Sequence, residues 1–224
     1  KQCRHIVKSK SIVTKEIHLN EFLEKNGIES VETDLGEYIQ QLDHEPPYHI
    51  VTPAMHKSKE DIARLFHEKL DAAPGLTPAE LTLVARDKLR AKYREAAIGV
   101  TGANFIIAET GSIAITENEG NGRLSCSFPK THIVITGIEK LIPSLTDLAL
   151  FWPLLSTFGT GQRVTSYNTI VSGPRQAGEY DGPEEMYVIL LDNGRTNLIS
   201  NIKVREALYC IRCGACLNAC PVYK

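Results

Sequence analysis

The feature that most constrains the fold of this chain is an alternation of short apolar runs with amphipathic segments along its N-terminal half. The runs HIVKSK (5–10) and IESVETD (28–34) have the composition of buried strands, and segments with apolar residues at helical spacing follow them. Two later helical segments begin with capping-box sequences, at Ser58 and at Thr77. Strands that alternate with helices predict a mostly parallel sheet with helices on its faces. We therefore expect an α/β fold.

The same patterns predict the single elements. One helix is expected over residues 15–27, with Gly27 as its C-terminal stop, and a buried strand over YHIVTP (48–53). From residue 98 onward the apolar runs are short and broken by glycines, which predicts strands joined by tight turns. The later strands are expected at 98–101, 104–108, 112–116, 131–143, 163–174 and 186–194, with helices after Ser144 and Gly194.

Composition argues against some classes of partner. The 224 residues carry 25 Lys and Arg against 27 Asp and Glu, a formal net charge of −2, which gives no support for nucleic acid as the main partner. The best candidate for a membrane span (148–158) is too short to cross a bilayer and contains Pro153. Six cysteines are too few for a disulfide scaffold, so we expect reduced thiols and a cytoplasmic location.

The last residues, CIRCGACLNACPVYK, contain four of the six cysteines at one close spacing. Cys210, Cys213, Cys216 and Cys220, followed by Pro221, form C-x2-C-x2-C-x3-C-P, the run with which bacterial ferredoxins bind iron–sulfur clusters. The alternatives are a zinc site or free thiols, but zinc sites usually combine two separated pairs of ligands. The spacing therefore favours 4Fe–4S clusters. Cys3 and Cys126 lack such spacing and are expected to be ordinary small residues.

The fourth cysteine of such a run ligates a different cluster from the first three. Two clusters then need a second run, and this sequence contains only one. We expect the remaining ligands to lie beyond Lys224 in a longer protein. In the present chain the tail is accordingly expected to be poorly ordered or to lack its cluster.

The glycine-rich middle of the chain is the candidate site of the α/β domain. It contains no Walker loop and only a poor dinucleotide fingerprint, but it places polar residues on turns at strand ends, where α/β proteins bind ligands. The predicted ligand-binding residues are Thr101, Gly102, Asn104, Thr110, Gly111, Asn121 and Gly173. Glu109 and Glu119 are candidates for an acid–base carboxylate pair, with Arg123 to hold an anion. The alternative is structural: glutamates that accept backbone N–H groups, an Arg123–Glu119 ion pair, and glycines that only form turns.

Several long segments resemble a known family. GVTGANFIIAETGSI, ENEGNGRL, THIVITGIEKLIPSLTDL, SGPRQAGEYDGPEEMYVILLDNGR and the cysteine run are similar to the lactate utilization protein B family, in this order and over the whole chain. The resemblance implies a LUD domain over residues 1–200, with a fold like that of the NagB/RpiA/CoA-transferase proteins. It also implies the start of a two-cluster ferredoxin module over residues 201–224. The family's N-terminal extension and second cysteine run are missing, which suggests a chain cut at both ends.

Two functional hypotheses follow. In the first, implied by the resemblance, the chain belongs to the iron–sulfur electron-transfer subunit of a bacterial complex that oxidises L-lactate to pyruvate. The other lactate-utilization subunits are then its partners, and a small carboxylate is a candidate ligand. In the second, the α/β domain is itself an enzyme that acts on a small carboxylic acid or its thioester through Glu109 or Glu119 and Arg123. A structural domain whose cysteines bind zinc is a third hypothesis.

Overall fold

The computed structural model describes residues 4–223, so Cys3 lies outside the described residues. The strands are β1 (His5–Lys8), β2 (Glu29–Glu32), β3 (Ile98–Thr101), β4 (Phe105–Ile107), β5 (Ser112–Glu117), β6 (Thr131–Gly137), β7 (Leu141–Ile142), β8 (Tyr167–Val171) and β9 (Glu185–Leu191). The α-helices are α1 (Ile12–Glu16), α2 (Leu19–Lys25), α3 (Leu35–Asp43), α4 (Lys59–Leu70), α5 (Pro78–Glu95), α6 (Asn121–Ser127), α7 (Leu148–Thr160), α8 (Arg195–Ser200) and α9 (Ala215–Ala219). Short 3-10 helices span Ile138–Lys140, Leu145–Asp147 and Arg205–Tyr209.

The strands form two sheets. The larger has the order β2-β1-β3-β6-β9, and every pairing in it is parallel. The smaller has the order β7-β4-β5-β8 and is mixed, with β5 antiparallel to both of its neighbours. The predicted α/β fold with a mostly parallel, helix-flanked sheet is confirmed. The second sheet was not foreseen, because strand-like runs do not reveal which strands pair.

Helices cover both faces of the larger sheet near its centre. Val7 and Val31 pack with Phe66 and Leu89 of α4 and α5 on one face, while Ile6 and Val100 pack with Val13 of α1 on the other. Alternate strand residues point to opposite faces, so neighbouring β1 residues serve the two cores.

The outer strand β9 is less covered, and its side chains from Tyr187 to Leu190 are 41–55% exposed. No helix among residues 4–223 is long and apolar enough to cross a membrane.

Both predicted capping boxes are present. The Ser58 side chain accepts the Asp61 N–H and the Thr77 side chain accepts the Glu80 N–H, and each carboxylate in turn bonds the N-cap backbone. Each box satisfies N–H groups that a helix N-terminus otherwise leaves without partners. The starts of α4 and α5 are therefore encoded locally, which is why the sequence located them.

The predicted strand over residues 48–53 is wrong, since this segment forms bends and turns. The N–H groups of Val51 and Thr52 are bonded to Nδ1 of the His49 ring, at 3.1 Å each. A strand would need backbone N–H groups such as these for its ladder, and Pro53 has none to give.

Two other predicted elements are divided. The helix expected over 15–27 is the pair α1 and α2, because His18 between them has the left-handed φ of +52°. Gly27 follows the last helical turn with φ +74°, as expected of a helix stop. The strand expected over 131–143 is β6, a 3-10 turn and β7, which carry the chain from the larger sheet to the smaller one. Helix α6 was missed altogether.

Buried charges lie where β1 and β2 end. Lys8 Nζ is 2.8 Å from Glu32 Oε1, and Lys15 Nζ is 2.5 Å from Glu37 Oε1, with both carboxylates nearly inaccessible to solvent. Burial raises the pKa of Glu37 from 4.5 to about 7, and the neighbouring charge of Glu32 adds to the rise. The folded state therefore holds a proton on Glu37 more tightly than the unfolded chain does.

Stability should consequently depend on the ionisation of Glu37. Because the folded state binds this proton more tightly, protonation of Glu37 contributes up to about 3 kcal/mol to the free energy of unfolding. The contribution is complete below pH 4.5 and is lost as the pH rises through 7. We expect Glu37→Gln to gain stability relative to the natural chain between pH 5 and pH 8, measured by urea unfolding at both. Glu24→Gln, on the exposed side of α2, controls for the loss of a carboxylate. A pH-independent difference for Glu37→Gln would contradict the prediction.

Candidate functional site

The strand order of the larger sheet defines where a ligand is expected. From β1 the chain moves outward to β2 and then returns to the other side of β1 as β3, so the order reverses between β1 and β3. In open α/β sheets, ligands bind at such a switch point, outside the carboxyl ends of the strands. Residues 9–13 follow β1, and residues 102–104 follow β3; both segments line one cleft of about 400 Å³. That volume suits a small ligand.

The loops of the switch point touch where Gly102 faces Ser11. A Cβ on Gly102 would lie 3.0 Å from Ser11 Oγ and 3.3 Å from Ser11 Cβ. The absence of a side chain at this position lets the loops after β1 and β3 approach each other at the base of the cleft.

One wall of the cleft is acidic. The Asp34 side chain caps α3 and lies 2.9 Å from Lys10 Nζ, while Glu119 Oε2 accepts the N–H of Leu35 at 3.1 Å. Much of Glu119 is exposed as a residue. Burial of its carboxylate in the cleft wall nevertheless raises its pKa, and the charge of Asp34 raises it further.

Glu117, at the end of β5, is the second acidic group of this wall. Its two carboxylate oxygens accept the N–H groups of Gly122 and Arg123, at 2.6 and 2.7 Å. Burial raises the pKa of Glu117, although these hydrogen bonds favour its charged form. The carboxylate supplies acceptors that the first turn of α6 would otherwise lack.

The predicted ligand-binding residues fall into two groups. Gly102, Asn104 and Asn121 line the cleft, as does Glu119. Thr101 lies behind it, fully buried, with Oγ1 2.8 Å from Nε2 of His132.

The other predicted residues lie at the far end of β5. Thr110 and Gly111 form the turn between β4 and β5, and Thr110 Oγ1 donates to Ser112, which donates to Ser172 beside Gly173. The structure therefore does not bring all seven residues into one site.

The catalytic candidates are not assembled either. Glu109 bonds the Leu145 N–H before α7, whereas Glu119 lies beyond the opposite end of β5. The six-residue strand β5, about 20 Å long, lies between the two glutamates in the chain. The Arg123 guanidinium lies 6.0 Å from the centre of the Tyr167 ring. Both glutamates accept backbone N–H groups, the structural alternative that the sequence left open.

Lys140 is a cleft residue that sequence reasoning missed. It lines the cleft, is only 5% exposed, and donates from Nζ to the carbonyl oxygen of Cys210 at 3.1 Å. Burial, together with the positive charge of Arg212, lowers the pKa of Lys140 to about 8. Among residues 4–223, no carboxylate lies within ion-pair distance of this ammonium group. Its sequence context, IEKLI, is typical of a strand and gave no indication of a buried cation.

A buried ion cluster lies beside Lys140. Arg195 is 4% exposed and binds Glu16 through both terminal nitrogens at 2.9 Å, while its Nε is 2.5 Å from Glu139. Arg212 lies 3.8–3.9 Å from the same two carboxylates. With Lys140 the group contains three cations and two anions, so one positive charge beside the cleft is not balanced within it.

The cysteine segment packs on this rim. Cys213 lines the cleft, and Ile211 and Cys213 contact the apolar cluster that contains Phe105 and Leu155. Gly214 has φ +81°, and a Cβ there would lie 2.9 Å from Val51. Farther along, the Tyr223 hydroxyl donates to the Tyr48 carbonyl. Residues 210–223 therefore contact the α/β domain directly.

The four thiols suit an iron–sulfur cluster by their chemistry. Cys210, Cys213, Cys216 and Cys220 are free, and soft thiolate ligands favour such clusters. Left-handed residues at Arg212 and Gly214 turn the chain between successive cysteines. Within residues 4–223, no three His, Cys, Asp or Glu side chains are gathered closely enough to hold one metal ion. The described conformation thus contains the donors but not a formed metal centre.

Taken together, the parallel sheet and the switch-point cleft define an α/β domain, and the segment that carries the cysteine run packs on the rim of its cleft. The family model described as "LUD domain" matches residues 2–191, and the chain belongs to this family. The LUD domain that the resemblance implied is thereby confirmed.

Several curated proteins are similar along the whole chain. Lactate utilization protein B of Bacillus subtilis (strain 168) is 52% identical over 225 residues, covering 100% of this chain and 47% of the relative. The protein of that name from Bacillus velezensis is 50% identical with the same coverage. The "Uncharacterized electron transport protein YkgF" of Escherichia coli (strain K12) is 47% identical, again over 100% and 47%. The chain thus spans about half the length of the curated relatives it matches.

Among solved structures, a DUF162 family protein from Deinococcus radiodurans is similar to 59% of this chain and 84% of its own, at 20% identity. The TM-score of 0.35 is too low to support any conclusion.

Proposed function

We propose that this chain is part of an iron–sulfur electron-transfer subunit that serves the oxidation of L-lactate to pyruvate in a bacterium. One observation carries the proposal: the ferredoxin-type cysteine run packs on the rim of the switch-point cleft, where Cys213 forms part of the wall. A redox group held there would lie beside a ligand in the cleft. The names of the relatives, lactate utilization protein B and an electron transport protein, agree with this proposal.

The cleft and the clusters are assigned to successive parts of the chain. The LUD domain, residues 1–200, forms most of the cleft, and residues 201–224 begin the ferredoxin module and add Cys213 to the cleft wall. Cys210, Cys213 and Cys216 would hold one 4Fe–4S cluster and Cys220 would ligate a second, the remaining ligands coming from a longer protein. Such clusters would supply one-electron carriers. The other lactate-utilization subunits are the proposed partners, and the cytoplasm, which keeps thiols reduced, is the proposed location.

Within the cleft, the proposed ligand is a small carboxylate. Lys140 supplies a buried positive charge without a carboxylate partner among residues 4–223, and Arg212 adds a second cation on the same rim. Glu117 and Glu119, on the acidic wall of the same cleft, have raised pKa values and so are suited to exchange protons with a hydroxyl group. A 2-hydroxy acid carries both a carboxylate and a hydroxyl.

Metal content tests the cluster. A protein of the relatives' full length that contains this chain, purified without oxygen, should be brown and hold about eight iron and eight sulfide per chain, as two 4Fe–4S clusters require. Cys216→Ser should lower the iron content and change the EPR signal of the reduced protein. Cys126→Ser is the matched control, because Cys126 is a buried free thiol bonded to the Arg123 carbonyl. Colourless protein with one zinc ion would overturn the proposal.

The role of Lys140 is testable separately. Lys140→Gln should raise the KM for lactate about tenfold or more in the reconstituted complex, because a hydrogen bond to a charged group contributes about 1.5–3 kcal/mol. The iron content should stay unchanged. Lys57→Gln is the control, since Lys57 is also largely buried but lies outside the cleft, paired with Asp43 and Glu45. An unchanged KM for Lys140→Gln would exclude it as the carboxylate anchor.

A further inference from the structure

A buried histidine beside the cysteine segment has one ring nitrogen without a partner. His49 is 4% exposed and lies in the turn segment that precedes α4. Its Nδ1 accepts the N–H groups of Val51 and Thr52, and it lies 3.1 Å from the Thr52 hydroxyl. A nitrogen that accepts two backbone hydrogens carries none of its own. The neutral ring must then hold its hydrogen on Nε2.

That Nε2–H group is buried, and no group among residues 4–223 accepts its hydrogen. A buried donor without an acceptor costs about 1–3 kcal/mol, and native proteins rarely leave one unsatisfied. The backbone bonds to Nδ1 fix the ring, so it cannot turn to find another acceptor without losing them. The orphaned donor therefore indicates an acceptor that the described residues do not supply.

The cysteine run lies next to this donor. A Cβ on Gly214 would lie 3.4 Å from His49 Cε1, the ring carbon bonded to Nε2. Gly214 stands between Cys213 and Cys216 in the sequence, and its φ of +81° together with its contact at Val51 disfavours any larger residue. The Tyr223 ring, 5.8 Å away between centroids and tilted by 53°, packs against the same imidazole. The segment that carries the thiols is thus held against the histidine.

We propose that His49 Nε2–H donates a hydrogen bond to a sulfur of the cluster that Cys213 and Cys216 ligate, and that it raises the reduction potential of that cluster. This inference rests on the proposed function, because it requires the cluster. Reduction adds negative charge, and a hydrogen bond to sulfur stabilises the more negative state. His49 is thus a positioning and tuning residue: it fixes residues 51–52 through one nitrogen and acts on the cluster through the other.

Redox titration followed by EPR tests the proposal on the full-length protein with both clusters. His49→Phe removes the donor. The equilibrium constant for one-electron reduction of one cluster should then fall about tenfold, which lowers its reduction potential by about 59 mV. His49→Gln, whose amide also has a donor and an acceptor, should keep most of the natural potential. Tyr223→Phe changes the neighbouring ring without altering an N–H donor and should leave the potential unchanged.

A second measurement does not depend on the variants folding. In the natural protein labelled with ¹⁵N-histidine, pulsed EPR of the reduced clusters should detect weak coupling to one histidine nitrogen and to one exchangeable proton. Intact clusters with unchanged potentials in His49→Phe, or without histidine coupling, would overturn this inference alone. Failure of the natural protein to bind iron would overturn the proposed function as well, so the two failures are distinguishable.

Discussion

Gly99→Ala should prevent this chain from folding stably. Gly99 is central in β3, paired with Val7 of β1 on one side and with His132 of β6 on the other. A Cβ at this position would lie 1.8 Å from the backbone oxygen of Ser125 in α6, and 2.9 Å from Pro129 Cγ. No real Cβ tolerates a backbone atom at that distance, so either β3 or α6 must move.

Neither element is free to move. β3 is hydrogen-bonded to strands on both sides within the larger sheet. The first turn of α6 is held by Glu117, and the Asn121 carbonyl accepts the Tyr93 hydroxyl at 3.3 Å. Overpacking a core by one or two methyl groups usually costs about 1–3 kcal/mol through small side-chain shifts. A backbone collision leaves no such relief, so we expect a loss above about 4 kcal/mol, which is a large part of a domain's stability.

Urea unfolding followed by circular dichroism measures the effect. The matched control is Gly173→Ala, since a Cβ added at Gly173 would meet no atom of residues 4–223 within 4 Å and the φ of this residue is not left-handed. This variant should stay within about 0.5 kcal/mol of the natural chain. The same variant also tests the prediction that Gly173 contacts the ligand. If that prediction is correct, Gly173→Ala should bind the ligand more weakly. If Gly99→Ala unfolds at the same urea concentration as the control, the close contact between β3 and α6 does not exist.

The features that the sequence located are those that neighbouring residues determine. The capping boxes at Ser58 and Thr77 are complete within four residues, and the alternation of strands and helices needs no knowledge of pairing. The strand prediction for residues 48–53 was wrong because the composition of this segment is typical of a strand, whereas the amide hydrogens of Val51 and Thr52 are bonded to the His49 ring. Helix α6 was missed because it begins after Gly120, and its first turn depends on the side chain of Glu117.

The candidate site was predicted only in part for a similar reason. A glycine-rich stretch with polar residues indicates strand ends, but an antiparallel hairpin has two ends, and only one of them faces the switch point. Thr110 and Glu109 were therefore grouped with Asn104 and Glu119, although β5 separates them. Lys140 could not be found from its neighbours, because its role depends on the distant Cys210 carbonyl. The cysteine run was identified because its chemistry lies entirely in local spacing.

Arg195→Met should lower the free energy of unfolding by about 3–5 kcal/mol, the usual result of removing one partner from a buried ion pair. The guanidinium holds Glu16 through two hydrogen bonds and Glu139 through a third. The Glu139 side chain is only 5% exposed, so its charge would remain buried with Arg212, 3.9 Å away, as its nearest cation. A Cβ on Gly137 would lie 2.6 Å from Arg195 Nε and 1.9 Å from Glu139 Oε2, so the pair packs flat on the end of β6.

The control is Arg175→Met, whose partly exposed pair with Glu184, 3.4 Å apart, should contribute less than about 1 kcal/mol. A double variant separates charge from packing: Arg195→Met with Glu139→Leu should be more stable than Arg195→Met alone, because the uncompensated carboxylate is gone.

Arg195 begins α8, which leads from β9 to the cysteine segment, and Arg212 of that segment shares its carboxylates. Loss of Arg195 should therefore also loosen residues 210–214 on the cleft rim, measured as faster hydrogen exchange there than in Arg175→Met. Equal exchange in the two variants would mean that the cysteine segment is held by its apolar contacts alone.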